Sequence, residues 1–316
     1  MRKCLAMSDE ISDNKFIFNS VTLIGIGHIG SSLARAIRKK TGLVKRISAT
    51  DVDPITLKKA IELKLVDNVV TDLGEAVTSA DCVILCTPIG SYGKIMEVIS
   101  RHLKSGCIVS DVGSVKEGPI NDILPYIPSD VHLVPGHPIA GTEHSGPESG
   151  FAELFEGRYW LLTPLAGTDP KATLKMRRLC EGIGAMVEEM DADYHDKVLA
   201  ITSHVPHLIA YTIVGTADDL EDQTQADVIR FSASGFRDFT RIAGSNPIMW
   251  RDIFLNNREA VLEMLQRFSE DLTMLQRAIR WGEGEKLERL FTRTREIRRG
   301  VIDARQEVPP SAEKTR

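Results

Sequence analysis

Over the first 190 residues, short apolar runs alternate with segments that have the periodicity of amphipathic helices. The apolar runs are residues 21–24, 47–50, 82–86, 107–110, 132–134 and 159–162. Glycine and proline mark the ends of most of these runs, as expected for loops at the edge of a sheet. Strands that alternate with helices are typical of a parallel sheet covered by helices on both faces. We therefore predict an α/β domain over residues 16–190.

After residue 190 the pattern changes, and no further strand is predicted. Residues 195–214 are apolar enough for a helix, which Pro206 should kink because proline cannot donate a backbone hydrogen bond. A shorter helix is expected near residues 287–301. We predict an all-helical domain over residues 191–305, a flexible tail at 1–15 and a disordered polar tail at 306–316.

Within the helical half, one apolar series recurs at alternating steps of four and three residues. Its members are Val261, Leu265, Phe268, Leu272, Leu275 and Ile279. This spacing places them along one face of a helix. The face could pack inside the domain, or against a second subunit related by twofold symmetry.

Composition and charge narrow the class of protein. The chain is 42% hydrophobic and 26% charged, and its net charge of −5 without a dense basic run argues against a nucleic-acid partner. The N-terminus is too polar for a signal peptide, and we expect no membrane helix because no run approaches the roughly 18 apolar residues required. Five scattered cysteines do not suggest a disulfide framework. These features predict a cytoplasmic protein.

The first apolar run leads directly into the glycine-rich segment GIGHIG, which precedes a predicted helix. In a Rossmann-type domain, such a loop brings the backbone and the helix N-terminus close to a dinucleotide pyrophosphate. Asp51 ends the second run at the distance where an acid binds both ribose hydroxyls, which favours NAD over NADP. The predicted cofactor-binding residues, including those that end later strands, are Gly25, Gly27, His28, Ile29, Gly30, Asp51, Thr87, Pro88 and Asp111.

A dehydrogenase needs a base, and histidine suits this role because its pKa lies near neutral pH. His137 follows the run at 132–134 in the glycine- and proline-rich segment PGHPIAGTEHSG. His204 and His207 lie one helical turn apart, where they either pack the helix or face a cleft; their context does not match a zinc motif, and no metal is predicted. Ser114 follows another run and is either a helix N-cap or a site residue.

The segments GIGHIGSSLA, DVGSVK, PGHPIAGTEHSG, SHVPHLIA and FTRIAGSNPIMWRDI occur in this order. Together they resemble the prephenate/arogenate (cyclohexadienyl) dehydrogenases of tyrosine biosynthesis, over about residues 21–299. HPIAGTE and TRIA…P.MW carry most of the resemblance, since the glycine loop is shared by many families. The resemblance implies an NAD-dependent oxidoreductase that forms a homodimer through its helical domain. It would convert prephenate to 4-hydroxyphenylpyruvate, arogenate to tyrosine, or both.

The resemblance also implies roles for individual residues. His137 would be the catalytic histidine that takes the proton of the ring hydroxyl, and Ser114 would contact the same hydroxyl. Arg241 would bind a substrate carboxylate, with Arg230 and Arg237 as weaker alternatives. The remaining predicted substrate-site residues are His204, His207, Thr142 and Glu143.

Two other functions remain to be distinguished from this one. A 3-hydroxyacid-type dehydrogenase shares the same build, but it typically uses a lysine of the helical domain as its base, for which Lys197 is the nearest candidate. A nicotinamide-sensing binding protein would keep the glycine loop and Asp51 without turnover. The joint presence of Ser114, His137 and Arg241 favours the prephenate/arogenate dehydrogenase.

Overall fold

Six parallel strands form the central sheet of the first domain. The computed structural model describes residues 15–303, except residues 143, 221–226 and 229. The strands are β1 (Phe18–Ile24), β2 (Val44–Thr50), β3 (Asn68–Val69), β4 (Cys82–Leu85), β5 (Ile108–Asp111) and β6 (His132–Leu133). Their order, β3-β2-β1-β4-β5-β6, is that of a Rossmann fold and confirms the predicted fold class. All carboxyl ends therefore meet at one edge.

Both faces of this sheet are covered, as the continuous apolar runs predicted. In β4, Cys82 and Ile84 pack into one core, and Val83 and Leu85 pack into the other. The helices that supply the two layers are α1 (His28–Lys39), α2 (Pro54–Glu62), α3 (Leu73–Val77), α4 (Tyr92–Ile99), α5 (Glu117–Ile123) and α6 (Pro170–Gly182). Polar side chains cap the N-termini of some of these helices. In α2, for example, the Asp53 side chain accepts hydrogen bonds from the amides of Ile55 and Thr56.

A second, smaller sheet was not predicted. It consists of β7 (Gly136–Pro138), β8 (Tyr159–Leu162) and β9 (Met186–Glu189), with β7 antiparallel and β9 parallel to β8. The run at 159–162 is thus a strand, but the expectation that it joins the parallel sheet is wrong. Trp160 and Leu162 pack into the same core as α1 and α6, so burial is satisfied without pairing to β6.

The second domain is helical throughout its described residues, as predicted. It contains α7 (Ala192–Leu199), a π-helical turn (Ala200–His204), α8 (Val205–Asp218), α9 (Ser234–Thr240), a 3₁₀ turn (Arg241–Gly244), α10 (Pro247–Asn256), α11 (Arg258–Arg280) and α12 (Gly284–Asp303). Instead of an isolated kink at Pro206, a wide π turn joins α7 to α8. A proline has no N–H to donate to the preceding turn. A change of helical winding just before it therefore sacrifices few backbone hydrogen bonds.

The predicted apolar series lies on one continuous helix, α11, but its environment changes along the helix. Val261 is buried, whereas Leu272 is 49% and Ile279 is 67% exposed. The start of the series therefore packs inside the domain, while its end faces outward. Other large apolar side chains of the helical domain are exposed as well. We call six such exposed residues of this domain the apolar surface: Ile213, Leu262, Leu272, Ile279, Phe291 and Ile297.

The helical stretch Ala192–Asp218 is long and apolar enough, by length and composition alone, to cross a membrane, and only 28% of its most apolar window is buried. The expectation that no segment would meet these two criteria is therefore wrong. The same stretch carries His195, Asp196 and His204, which are buried and hydrogen-bonded within the protein. The stretch also exposes apolar side chains, among them Ile201, Ile213 and Val214, as do other helices of this domain.

Candidate active site

The glycine loop connects β1 to α1 and has three differently used glycines. Gly25 has φ = +92°, and a Cβ on it would lie 2.9 Å from the Cys86 carbonyl. A Cβ on Gly30 would lie 2.3 Å from the Gly25 oxygen, so helix and loop pack too closely for a side chain. A Cβ on Gly27 would meet nothing within 4 Å, which leaves open space at the N-terminus of α1. Gly27 is the N-cap and supplies no capping side chain. This arrangement fits a pyrophosphate.

Asp51 lies beside this loop at the end of β2. One of its carboxylate oxygens accepts the Ile26 amide at 2.9 Å, and the other accepts the Asp53 amide at 3.0 Å. The two bonds hold the carboxylate next to the place where the adenosine ribose of a dinucleotide lies in this fold. Thr87 and Pro88 follow β4 at the same edge, where Thr87 Oγ1 hydrogen bonds Ser91 Oγ at 2.9 Å. The residues present therefore fit NAD.

The segment after β7 is held against α1 by hydrogen bonds. His28 Nδ1 lies 2.9 Å from Ser149 Oγ, and His28 Nε2 lies 3.5 Å from Thr142 Oγ1. The Phe151 amide donates to Ser32 Oγ at 3.2 Å. His28 and Thr142, predicted for the cofactor and the substrate respectively, thus lie together at the N-terminus of α1. Ile29 packs half-buried against the core, and Glu143 lies outside the described residues.

Beneath the site, Asp111 and Lys116 form a buried ion pair, with side chains 3% and 0% exposed. Asp111 Oδ2 accepts from Lys116 Nζ at 2.5 Å and from the Gly113 amide at 2.8 Å, while Oδ1 accepts from the Gly136 amide at 3.0 Å. Lys116 Nζ also donates to the Gly136 carbonyl at 2.6 Å. These bonds tie β5 to β7. The predicted contact between Asp111 and the cofactor does not fit this burial, because both carboxylate oxygens are already engaged.

His137 lies on β7 next to Gly136, and its side chain is buried. Its Nδ1 lies 2.9 Å from His195 Nε2, and His195 Nδ1 lies 2.8 Å from Asp196 Oδ1. We call these three residues the histidine chain. Burial, and then the charges of His195, Lys116 and His204, hold the pKa of His137 well below its ordinary value. His137 is therefore neutral at neutral pH, with a lone pair on one ring nitrogen.

His195 and Asp196 were missed by the sequence analysis. They belong to α7, and the Asp196 carboxylate accepts the backbone amides of Lys116 and Glu117 at 2.8 and 2.9 Å. The helical domain is thereby joined to the loop before α5. A His-Asp dipeptide at the start of a predicted apolar helix was the available signal, but its partner His137 is 58 residues away in the chain.

The two predicted histidines of the helical domain pack around Trp250. The His207 ring stacks on the indole with centroids 3.6 Å apart, and its Nδ1 donates to the Ser203 carbonyl at 2.8 Å. His204 is fully buried and lies 6.1 Å from Trp250 in an edge-on arrangement. Its Nδ1 lies 3.0 Å from Asn257 Nδ2. Burial lowers the pKa of His204 to about 4, so this ring is also neutral.

Ser114 lies half-buried in the loop between β5 and α5. Because α5 begins at Glu117 with Lys116 as its N-cap, the alternative that Ser114 caps a helix is wrong. Its backbone faces His204 and opposes the burial that lowers the pKa of that histidine. Ser114 is thus placed where the loop of the first domain meets the π turn of the second.

Arg241 begins the 3₁₀ turn before α10, and its side chain is exposed. Its positive charge contributes, after burial, to the lowered pKa of His207. The alternative arginines, Arg230 and Arg237, pair with Asp227 and Asp238 at 3.7 and 3.3 Å. Of the three arginines, Arg241 is thus the one whose charge reaches the histidines of the helical domain.

Residues 33–189 match the family model described as prephenate dehydrogenase, nucleotide-binding domain, and residues 191–293 match prephenate dehydrogenase, dimerization domain. The chain is 39% identical to the cyclohexadienyl dehydrogenase of Zymomonas mobilis, over 89% of this chain and 96% of that protein. Prephenate dehydrogenase from Aquifex aeolicus, solved with hydroxyphenyl propionate and NAD⁺, superposes with a TM-score of 0.82 at 35% identity, covering 90% of this chain and 98% of that one. Synechocystis arogenate dehydrogenase gives 0.76 at 28% identity, covering 89% and 99%.

These similarities cover both domains, and they confirm the resemblance inferred from the HPIAGTE and TRIA…P.MW segments. The glycine loop and Asp51 have the geometry that a dinucleotide site of this fold requires. The chain belongs to the prephenate dehydrogenase family of NAD-dependent oxidoreductases.

Proposed function

We propose that this protein catalyses the oxidative decarboxylation of prephenate, arogenate or both, with NAD⁺ as the oxidant. The observation that carries the proposal is the position of His137. It is a buried, neutral histidine at the edge of the Rossmann sheet, between the glycine loop and the histidines of the helical domain. A lysine base, as in 3-hydroxyacid-type dehydrogenases, has no support from the nearest candidate, because Lys197 is 58% exposed and pairs with Asp193.

Each residue of the site has a separate role in the proposed reaction. His137 accepts the proton of the ring hydroxyl, and Ser114 orients that hydroxyl. NAD⁺ supplies the acceptor for the hydride that leaves the carbinol carbon. The bond from the opposite ring carbon to its carboxylate then breaks, and CO₂ leaves as its electron pair enters the ring. The ring becomes aromatic, and its oxygen takes the proton back from His137 to give the phenol. Arg241 binds a substrate carboxylate, for which a guanidinium offers two parallel hydrogen bonds.

The test is NADH formation by the purified protein with NAD⁺ and either prephenate or arogenate in parallel, with the His137→Asn variant beside wild type. We expect NADH with at least one substrate, and a kcat lower by roughly 10²–10⁴-fold in the variant, as for loss of a general base. His102→Asn, outside the site, is the matched control and should keep wild-type kcat. Absence of NADH with both substrates, while NAD⁺ still binds, would refute the proposal.

We also infer that the protein forms a homodimer through its helical domain. Residues 191–293 match a dimerization domain, and the apolar surface lies within this half of the chain. Exposed apolar area of this extent on one domain is typical of a protein interface.

Ile279→Glu and Ile55→Glu form a matched pair for testing the dimer, since the two isoleucines are 67% and 65% exposed but lie on different domains. Sedimentation at micromolar concentration should give a dimer for wild type and Ile55→Glu, and a shift towards monomer for Ile279→Glu. A monomeric wild-type protein would contradict the inference.

A further inference from the structure

The hydrogen bonds of the histidine chain determine where its protons lie. The Asp196 carboxylate accepts two backbone amides, from Lys116 and Glu117, which is the pattern of an ionised acceptor. The His195 Nδ1 that faces Asp196 at 2.8 Å must therefore carry a proton. In a neutral ring this leaves His195 Nε2 with a lone pair. His137 Nδ1, 2.9 Å away, must then be the donor.

We propose that His195 and Asp196 are positioning residues that hold the proton of His137 on Nδ1, so that its Nε2 presents a lone pair to the substrate hydroxyl. The proposal rests on the assignment of His137 as the base. A free imidazole exchanges its single proton between two nitrogens, and only one of the two tautomers can act as a base through Nε2. The histidine chain fixes the tautomer of His137 before substrate binds.

The opposite arrangement is excluded by electrostatics. If His195 carried its proton on Nε2, its Nδ1 lone pair would face the Asp196 carboxylate at 2.8 Å, and two acceptors would oppose each other in a buried site. A doubly protonated His195 would donate to His137 Nδ1 and reverse the His137 tautomer, so the charge of His195 decides the outcome. Burial, the largest effect, and the charge of Lys116 lower the pKa of His195, whereas Asp196 and Asp111 raise it; the net shift is downward. His195 is therefore neutral at neutral pH.

Charged and titratable groups from several elements face the histidine chain. Lys116 lies before α5, Asp111 ends β5, and His204 lies in the π turn. Lys116 is already paired with Asp111. Asp196 is therefore the anion that hydrogen bonds the two histidine rings, through His195. When His137 takes a proton, its Nδ1–H continues to donate to His195. The aligned His195 dipole and Asp196 then stabilise the new positive charge.

The residues that orient the base belong to the other domain. His137 belongs to the small sheet of the first domain, whereas His195 and Asp196 belong to α7 of the helical domain. Asn257, at the start of α11, donates to the Asp196 backbone carbonyl at 2.8 Å and so fixes α7 from the opposite side. Docking of the helical domain therefore selects the active tautomer of a residue that it does not contain.

The first test measures the tautomer directly. The ¹⁵N chemical shifts of the His137 ring distinguish a protonated nitrogen from one with a lone pair, and they are recorded without substrate, so the result is independent of whether the protein turns over prephenate or arogenate. We expect a proton on Nδ1 in wild type and a mixture of both tautomers in Asp196→Ala, which removes the oxygen that accepts the His195 proton. Asp193→Ala, which removes an exposed carboxylate on the same helix, should leave the wild-type pattern. An Nε2-protonated His137 in wild type would overturn the proposal.

The second test uses kinetics and covers the case in which Asp196→Ala does not fold. His195→Gln places an amide oxygen near the former Nε2 and can still accept from His137, whereas His195→Leu cannot. We expect kcat to fall by ~10²-fold or more in His195→Leu with KM nearly unchanged, and by at least ~10-fold less in His195→Gln. Equal kcat values for the two variants would mean that the acceptor has no role, and would overturn the proposal.

Discussion

Breaking the buried ion pair between Lys116 and Asp111 should strongly destabilise the protein, and replacing Lys116 with methionine tests this. Methionine has a similar length but leaves the Asp111 carboxylate, whose side chain is 3% exposed, without a counter-ion. Removing one partner of such a pair typically costs about 3–5 kcal/mol, because the remaining charge is buried and uncompensated. For a domain of this size that loss lowers the thermal midpoint by roughly 6–20 °C.

The chain offers a closely matched control in Lys104 and Asp81. Asp81 also accepts two backbone amides, from Asn19 and Ser20, and its side chain pairs with a lysine. These side chains are 40% and 24% exposed, so Lys104→Met should cost no more than about 1 kcal/mol. Differential scanning calorimetry of both variants at one protein concentration gives the comparison. Equal losses in the two variants would refute the reasoning from burial.

A double variant tests the cause of the loss. In Lys116→Met/Asp111→Asn the buried charge is gone, while the asparagine oxygen can still accept one of the amides of Gly113 and Gly136. Its thermal midpoint should therefore lie above that of Lys116→Met alone. Additive destabilisation would show that lost packing, and not the uncompensated charge, explains the single variant.

Three further predictions concern the cofactor, the substrate and acid. Gly27→Ala should fold like wild type but weaken NAD⁺ binding in a fluorescence titration, because its Cβ enters open space; Gly30→Ala should lower the thermal midpoint, because its Cβ would lie 2.3 Å from a backbone oxygen. Arg241→Gln should raise the substrate KM by about 10- to 100-fold, whereas Arg237→Gln should leave it unchanged, and equal KM values would contradict the assigned carboxylate contact. His204, with a folded pKa of about 4, binds its proton more readily when unfolded, so stability should fall as pH decreases through the window from about 6.5 to 4, by about 2 kcal/mol at pH 5. Thermal scans at pH 7 and 5 check this, and His204→Gln should reduce the difference.

The parts of this fold that the sequence predicted are those encoded locally. The alternation of apolar runs and helices predicted the Rossmann domain, and GIGHIG followed by Asp51 predicted a cofactor site from residues close together in the sequence. The small sheet was missed because its first strand, Gly136–Pro138, has only three residues, two of which are poor strand formers. Its existence depends on pairing with a strand more than 20 residues later.

The candidate site shows the same division between local and distant information. His137 and Ser114 lie in motifs with recognisable composition, but the support of His137 by His195 and Asp196 arises only when α7 docks on the first domain. Likewise, Asp111 has the position of a ligand-binding residue at a strand end, yet its burial against Lys116 makes it a support. Neither relationship has a signature in the residues adjacent to it.

The apolar surface of the helical domain links the stability of the protein to its own abundance. A partner that binds only the folded chain stabilises it by mass action, and here the proposed partner is a second copy. The thermal midpoint should therefore rise with concentration, and enzyme diluted far below the dimer dissociation constant should lose activity on standing. In the cell, the amount of this protein synthesised would then influence not only the total catalytic capacity but also the fraction of chains that remain folded.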